Sequence, residues 1–196
     1  MSSLNFFIFF LAKPRVTAVV LALLTFTGPA LLRAQNERTI YFFNTKIDVF
    51  AQGGLIADSS GALYGTTTFG GSASGGDVFK LAPPAAPGAS WTESVLHSFT
   101  GGNDGEIPDG SLVFDSHGNL YGTTQLGGLE GQGVIFQLVP PVEAGGDWTE
   151  HILYSSYYGE FEAGLNIDAS GTLYGSTLYD IFQSVPSCRN GRGLDL

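Results

Sequence analysis

The chain has 196 residues, 13% of them charged and 13% aromatic, with 28 glycines and a formal net charge of −10. Frequent aromatics with few charges exclude an intrinsically disordered chain and favour a turn-rich folded domain. The acidic balance excludes nucleic acid as a partner, because such a surface repels a phosphate backbone.

The first 34 residues stand apart. Lys13-Pro14-Arg15 supplies positive charge, Val16 to Phe26 an apolar run, and Thr27-Gly28-Pro29-Ala30 a break before Ala34. This order is expected of a secretory signal peptide over residues 1–34, which would place the mature protein outside the cell, secreted or on its surface. The competing reading is an uncleaved membrane anchor over about residues 4–32, the one route to a membrane. The charged, proline-containing interruption weighs against it. After position 34 the chain holds five basic against 18 acidic residues, a net charge of −13. That charge suits solubility outside the cell. Cys188 is the single cysteine, so no intrachain disulfide forms and stability rests on packing.

Glu37-Arg38-Thr39-Ile40-Tyr41-Phe42-Phe43 follows as a strand-like run. Four short strands are then predicted over residues 54–57, 63–68, 77–82 and 92–99, rich in Val, Ile, Tyr, Phe and Thr between turn clusters. The first two flank Asp58-Ser59-Ser60-Gly61, a hairpin turn in which Asp bonds nearby backbone and Gly takes positive φ. After it comes Gly61-Ala62-Leu63-Tyr64-Gly65-Thr66-Thr67. The phrase returns as Gly118-Asn119-Leu120-Tyr121-Gly122-Thr123-Thr124 and Gly171-Thr172-Leu173-Tyr174-Gly175-Ser176-Thr177, at spacings of 57 and 53 residues. Asp115 and Asp168 precede the later copies as Asp58 precedes the first. Gly-Gly loops at Gly70 and Gly127, strands carrying Phe79 and Phe136, and Trp-Thr-Glu runs at Trp91 and Trp148 complete the first two units.

A period of this length marks a repeat architecture, and four strands per unit is the size of a propeller blade. The fold class is therefore all-β: a β-propeller-like array of about three four-stranded units, over residues 37–99, 100–156 and 157–186. Residues 187–196 are expected to be an unstructured tail. The repeat-signature residues are given structural roles. Leu63, Leu120, Leu173 and the three tyrosines fill the layer between units. Gly65, Gly122 and Gly175 permit either close backbone approach or a bulge. The third unit is degenerate: residues 179–186 stand for its third strand, and no Trp-Thr-Glu strand follows. Residues 37–43 align with 93–99 and are expected to complete that unit. Closed propellers have about 4–8 blades, so a homodimer would be needed to complete a ring. Otherwise open strand edges invite aggregation.

These motifs resemble the GloVer-type tandem repeat of choice-of-anchor extracellular bacterial proteins. The closest matches are Gly118–Thr124 and Gly101-Gly102-Asn103-Asp104-Gly105, within a resemblance covering about residues 37–186. The Asp-x-x-Gly-x-Leu-Tyr phrase is also similar to repeats of sensor-type propellers. The resemblance implies secretion, a propeller-like array and surface display. It brings no catalytic residues with it.

A site built once per unit should recur at the repeat offset, and the histidines do not. His97 is matched by Tyr154 and Tyr41, His117 by Ser60 and Ser170, and His151 by Ser94. With no paired histidines, a zinc site is not expected. Gly71-Ser72-Ala73-Ser74-Gly75 lacks the strand–elbow–helix context of a nucleophile and reads as a flexible loop. The weak calcium candidate is Asn103, Asp104, Glu106 and Asp109, oxygen donors in a Gly-containing loop that does not follow EF-hand spacing. Glu37, Glu93 and Glu150 occur once per unit and are expected to bond backbone in the neighbouring unit.

The sequence thus points to a secreted, non-catalytic repeat protein with no cofactor. Its expected partner is an extracellular polysaccharide or protein, met on the ring face or at loops 70–76 and 127–133. The alternatives are a secreted carbohydrate-active enzyme and a truncated gene fragment without independent function.

Overall fold

The computed structural model describes residues 38–43, 50–161 and 163–184. The leader, Glu37, Cys188 and the C-terminal tail lie outside the described residues. The described residues from 40 onward form one compact unit. Its described strands make three antiparallel sheets, none closed into a barrel.

The first sheet runs β1 (Ile56–Ala57), β2 (Leu63–Thr67), β3 (Asp77–Ala82) and β4 (Thr92–Ser98), in chain order. The second repeats this with β5 (Val113–Phe114), β6 (Leu120–Thr123), β7 (Val134–Val139) and β8 (Thr149–Ser155). The third holds β9 (Asn166–Ile167), β10 (Leu173–Ser176) and β11 (Ile181–Ser184). Sequential neighbours pair because each connection is short, which is the meander expected of a propeller blade.

One cross-strand contact recurs in all three sheets. Gly65 faces Phe79, Gly122 faces Phe136 and Gly175 faces Phe182. The phenylalanine ring lies over the bare glycine: a Cβ on Gly122 would sit 2.5 Å from Phe136 Cζ and 2.8 Å from Leu112 Cδ2. Close approach is therefore the role of this glycine. The bulge falls elsewhere, opposite Val78/Phe79 on β4 and opposite Ile135/Phe136 on β8. It leaves Leu96 and Leu153 unpaired in their ladders, and both pack on the core. An extra residue in one strand re-aims the side chains beyond it.

Two apolar clusters join the sheets. Tyr64, Val78, Phe99, Leu120, Val134 and Phe136 are among the buried residues of the first, with Trp148 packed against it. Tyr121, Ile135, Phe161, Leu165 and Leu173 make the second. Threonines staple the same boundaries. Thr66 Oγ1 donates to the Gly110 carbonyl at 3.4 Å, and Thr123 Oγ1 to the Ala163 carbonyl at 3.2 Å.

The described part of the 37–43 run does not complete the third sheet. Among the described residues, 40–43 belong to no ladder, and β11 pairs with β10 alone. Phe43 instead meets Phe79 with ring centroids 5.0 Å apart, and Tyr41 Oη donates to Glu93 Oε2 at 2.6 Å. The reason lies in the repeat. Phe99, just after β4, meets Phe136 of the next sheet at 5.1 Å, so residues 41 and 43 sit where the end of a preceding sheet's last strand would. Ser156 stands in the place of Phe99 at the next boundary, and Phe161 supplies the ring that meets Phe182, at 5.5 Å.

Gly122→Ala is expected to destabilise the domain by about 1–3 kcal/mol through overpacking. Combined with Phe136→Leu, which makes room, the loss should be smaller than the two single losses added. Urea unfolding of the four proteins in this cycle tests the contact; strict additivity would contradict it.

Candidate functional site

Each sheet begins with the same turn. Asp115 Oδ1 accepts the His117 and Asn119 backbone N–H groups at 2.8 and 2.9 Å, and Oδ2 accepts Asn119 Nδ2 and Tyr121 Oη at 2.7 and 3.0 Å. Asp58 and Asp168 repeat the scheme with Ser60 and Ser170, whose hydroxyls each donate at 2.6 Å. Gly118 closes the turn at φ 84°, a conformation that suits a residue without Cβ. Bonds from Ser60 and Ser170, ahead of the tyrosine hydroxyls, hold Asp58 and Asp168 down to about 2. Burial pushes Asp115 upward, but its bonds from Asn119, His117 and Tyr121 outweigh that and keep it low. Tyr121 moves the other way, to about 12, through burial and the facing Asp115 charge.

The turns of the second and third sheets flank a cleft of about 600 Å³. Asp115, Ser116, His117, Asn119 and Gln137 line one side, Asp168 to Gly171 the other, with Tyr121, Phe114, Leu153 and Ile167 between. The matching boundary between the first and second sheets is better filled. There Tyr64 meets the Phe114 ring at 5.0 Å, and Lys80 Nζ lies 5.2 Å from the Tyr64 centroid and 3.9 Å from Asp58. At the second boundary Ile167 takes the position of Phe114 and Gln137 that of Lys80. Gln137 Nε2 donates to Tyr121 Oη at 2.8 Å, so an uncharged group replaces the cation. Trp148, just before β8, packs against the first apolar cluster, and the third sheet has no fourth strand among the described residues.

The signature residues therefore take structural places, with Tyr64 and Tyr121 buried between sheets. Tyr174, on the last described sheet, is exposed. Trp91 and Trp148 are half-buried. The calcium candidate does not converge as a loop site. Asp104 accepts from Thr100 and lies with His97 and Glu150, while Asp109 accepts from Gln125 Nε2. Glu106 pairs through its backbone with Leu126. Of the strand glutamates, Glu93 accepts from the Tyr41 side chain rather than from backbone, and Glu150 Oε1 has no hydrogen-bond partner. Loops 70–76 and 127–133 are tied at their bases by Gly76 N–H to Gly70 O and Gly133 N–H to Gly127 O, at 3.2 and 2.9 Å. In the sequence His117 was set aside because it does not recur, and Gln137 and Asn119 were not singled out because they too vary between units. That variation within a constant frame was the available signal.

Three sheets of one strand order, each opened by one carboxylate turn, define a tandem-repeat protein of propeller-like fold. The Gloeobacter/Verrucomicrobia repeat matches residues 31–184, and the chain belongs to that family. The resemblance drawn from the Leu-Tyr-Gly-Thr phrase is thereby borne out. No curated protein matches the chain. A solved structure provisionally described as a gluconolactonase is similar at a TM-score of 0.43 and 22% identity, over 63% of this chain and 40% of that one. The chain thus spans less than half of that protein.

Removing the turn carboxylate by Asp115→Ala should cost about 1–3 kcal/mol, since its donors lose their acceptor. Asp115→Asn should cost less, because an amide oxygen still accepts both backbone N–H groups. Urea unfolding of the two variants decides. The folded-state values of Asp58 and Asp168 lie below the ordinary 3.8, so their stabilisation is present above that pH. It should be lost as pH falls through about 2, and Asp58→Asn with Asp168→Asn should flatten this acid limb of the thermal midpoint.

Proposed function

We propose that this protein is a secreted, non-catalytic repeat module that binds an extracellular polysaccharide in the cleft between its second and third sheets. The observation that carries this reading is the state of the two carboxylates in that cleft. Hydrolysis of a glycosidic bond by an acid/base pair needs one carboxyl group that holds its proton near neutral pH. Asp115 and Asp168 are both kept ionised by their own turns, so neither is a proton donor. The remaining lining is Ser, Asn, Gln and His beside the Tyr121 and Phe114 rings. Uncharged donors and acceptors around an apolar floor suit a neutral, hydroxyl-rich ligand. The acidic surface disfavours an anionic one.

Affinity electrophoresis of the mature chain through gels containing neutral or acidic polysaccharides tests this. Retardation by a neutral polymer is expected, with Gln137→Ala or Asn119→Ala weakening it by about tenfold through loss of hydrogen bonds to the sugar. Retardation unchanged in both variants would move the site elsewhere. Release of reducing ends during incubation would favour the enzyme instead.

A further inference from the structure

We propose that His97, Asp104 and Glu150 form a binding site for a divalent metal ion of the zinc class at the boundary of the first and second sheets. The three residues come from separate elements. His97 stands on β4, Asp104 in the loop that follows it, and Glu150 on β8. One ligand atom from each, an imidazole nitrogen and two carboxylate oxygens, lies within 4.8 Å of the others.

The separation of His97 and Glu150 favours an ion over a hydrogen bond. His97 Nε2 and Glu150 Oε1 are 3.4 Å apart. A good N–H···O bond is shorter, about 2.7–3.2 Å. Zinc bound at about 2.0–2.2 Å sets tetrahedral ligands roughly 3.3–3.6 Å from one another, which spans the observed separation. Both atoms are shielded from solvent and have no hydrogen-bond partner. Buried polar atoms are nearly always satisfied, so an orphaned pair facing each other points to a missing third body.

The repeat supplies an internal comparison. One boundary earlier, Tyr41 occupies the place of His97 and Glu93 that of Glu150. There the phenol donates at 2.6 Å and the pair is satisfied. Exchanging phenol for imidazole removes that bond and adds a nitrogen ligand. Asp104 is held in place by the Thr100 N–H at 2.8 Å and hydroxyl at 2.7 Å, an outer-shell support of the kind metal ligands have. Burial penalises a charge on Glu150 and on His97, whose side chains are 14% and 18% exposed. A cation among them would offset both penalties. One imidazole with two carboxylates suits a first-row transition metal better than calcium, which takes about 6–8 oxygens.

Equilibrium dialysis of the untagged full chain against Zn²⁺, with the thermal midpoint read in parallel, tests the site. We expect about one tightly held ion per chain and a raised midpoint. His97→Tyr, which installs the residue of position 41, and Glu150→Gln should each weaken binding at least about tenfold. His97→Tyr should keep the β-sheet circular dichroism of the parent, so that lost binding is not lost folding. His151→Ala, an exposed histidine on the same strand as Glu150, should bind as the parent does. Absence of stoichiometric Zn²⁺ binding, its survival in His97→Tyr, or its loss in His151→Ala would overturn the proposal.

Discussion

At the start of each sheet one carboxylate meets four donors, and most of the architecture follows from where the fourth comes from. Asp58, Asp115 and Asp168 each accept two backbone N–H groups of their own turn and one neighbouring side chain. The remaining donor is the hydroxyl of Tyr64, Tyr121 or Tyr174, six residues on. The bond joins the hairpin turn to the strand that leaves it. It also fixes the tyrosine ring upright on the face that receives the next sheet. Tyr64 meets Phe114 there, and Tyr121 packs in the second cluster. A polar interaction local in sequence thus sets an apolar contact that is not.

The glycine after that tyrosine works with it. Its missing side chain admits the phenylalanine of the neighbouring strand, and that ring in turn meets an aromatic of the preceding sheet, as Phe136 meets Phe99. Strand pairing and sheet stacking are therefore set by one short phrase. Variation has to fall beside this frame rather than within it. Lys80 against Gln137, Phe114 against Ile167 and Tyr41 against His97 are all such changes. The first two open and neutralise a cleft, and the third leaves two buried atoms unsatisfied. Candidate function lies at the boundaries between sheets, where identical units present different side chains.

Strand positions were legible in the sequence because turn chemistry and strand periodicity are local. The predicted third strand at 77–82 is β3, and at the turn before β2 Asp58 accepts backbone N–H groups while Gly61 takes φ 80°. Whether the glycine served close approach or a bulge stayed open in the sequence, since a bulge depends on what the partner strand brings opposite it. Within the chain, Tyr41 and Phe43 meet the first sheet and not the third, to which the sequence had joined their run. A strand pattern states which side chains alternate and does not state which edge receives them.

The sequence by itself determined the repeat, the all-β class and the turn carboxylates, because each depends on residues a few positions apart whose spacing recurs. The tertiary structure decided which side chains from different units meet. His97 has no histidine at the repeat offset and Glu150 recurs as Glu93 without one, so a test based on recurrence passed over the group. Its members come together because stacking brings β4 beside β8, a distance through space that chain separation does not encode. The cleft at Gln137 and Ile167 was hidden for the same reason: its opening is a property of two sheets, and neither unit contains it alone.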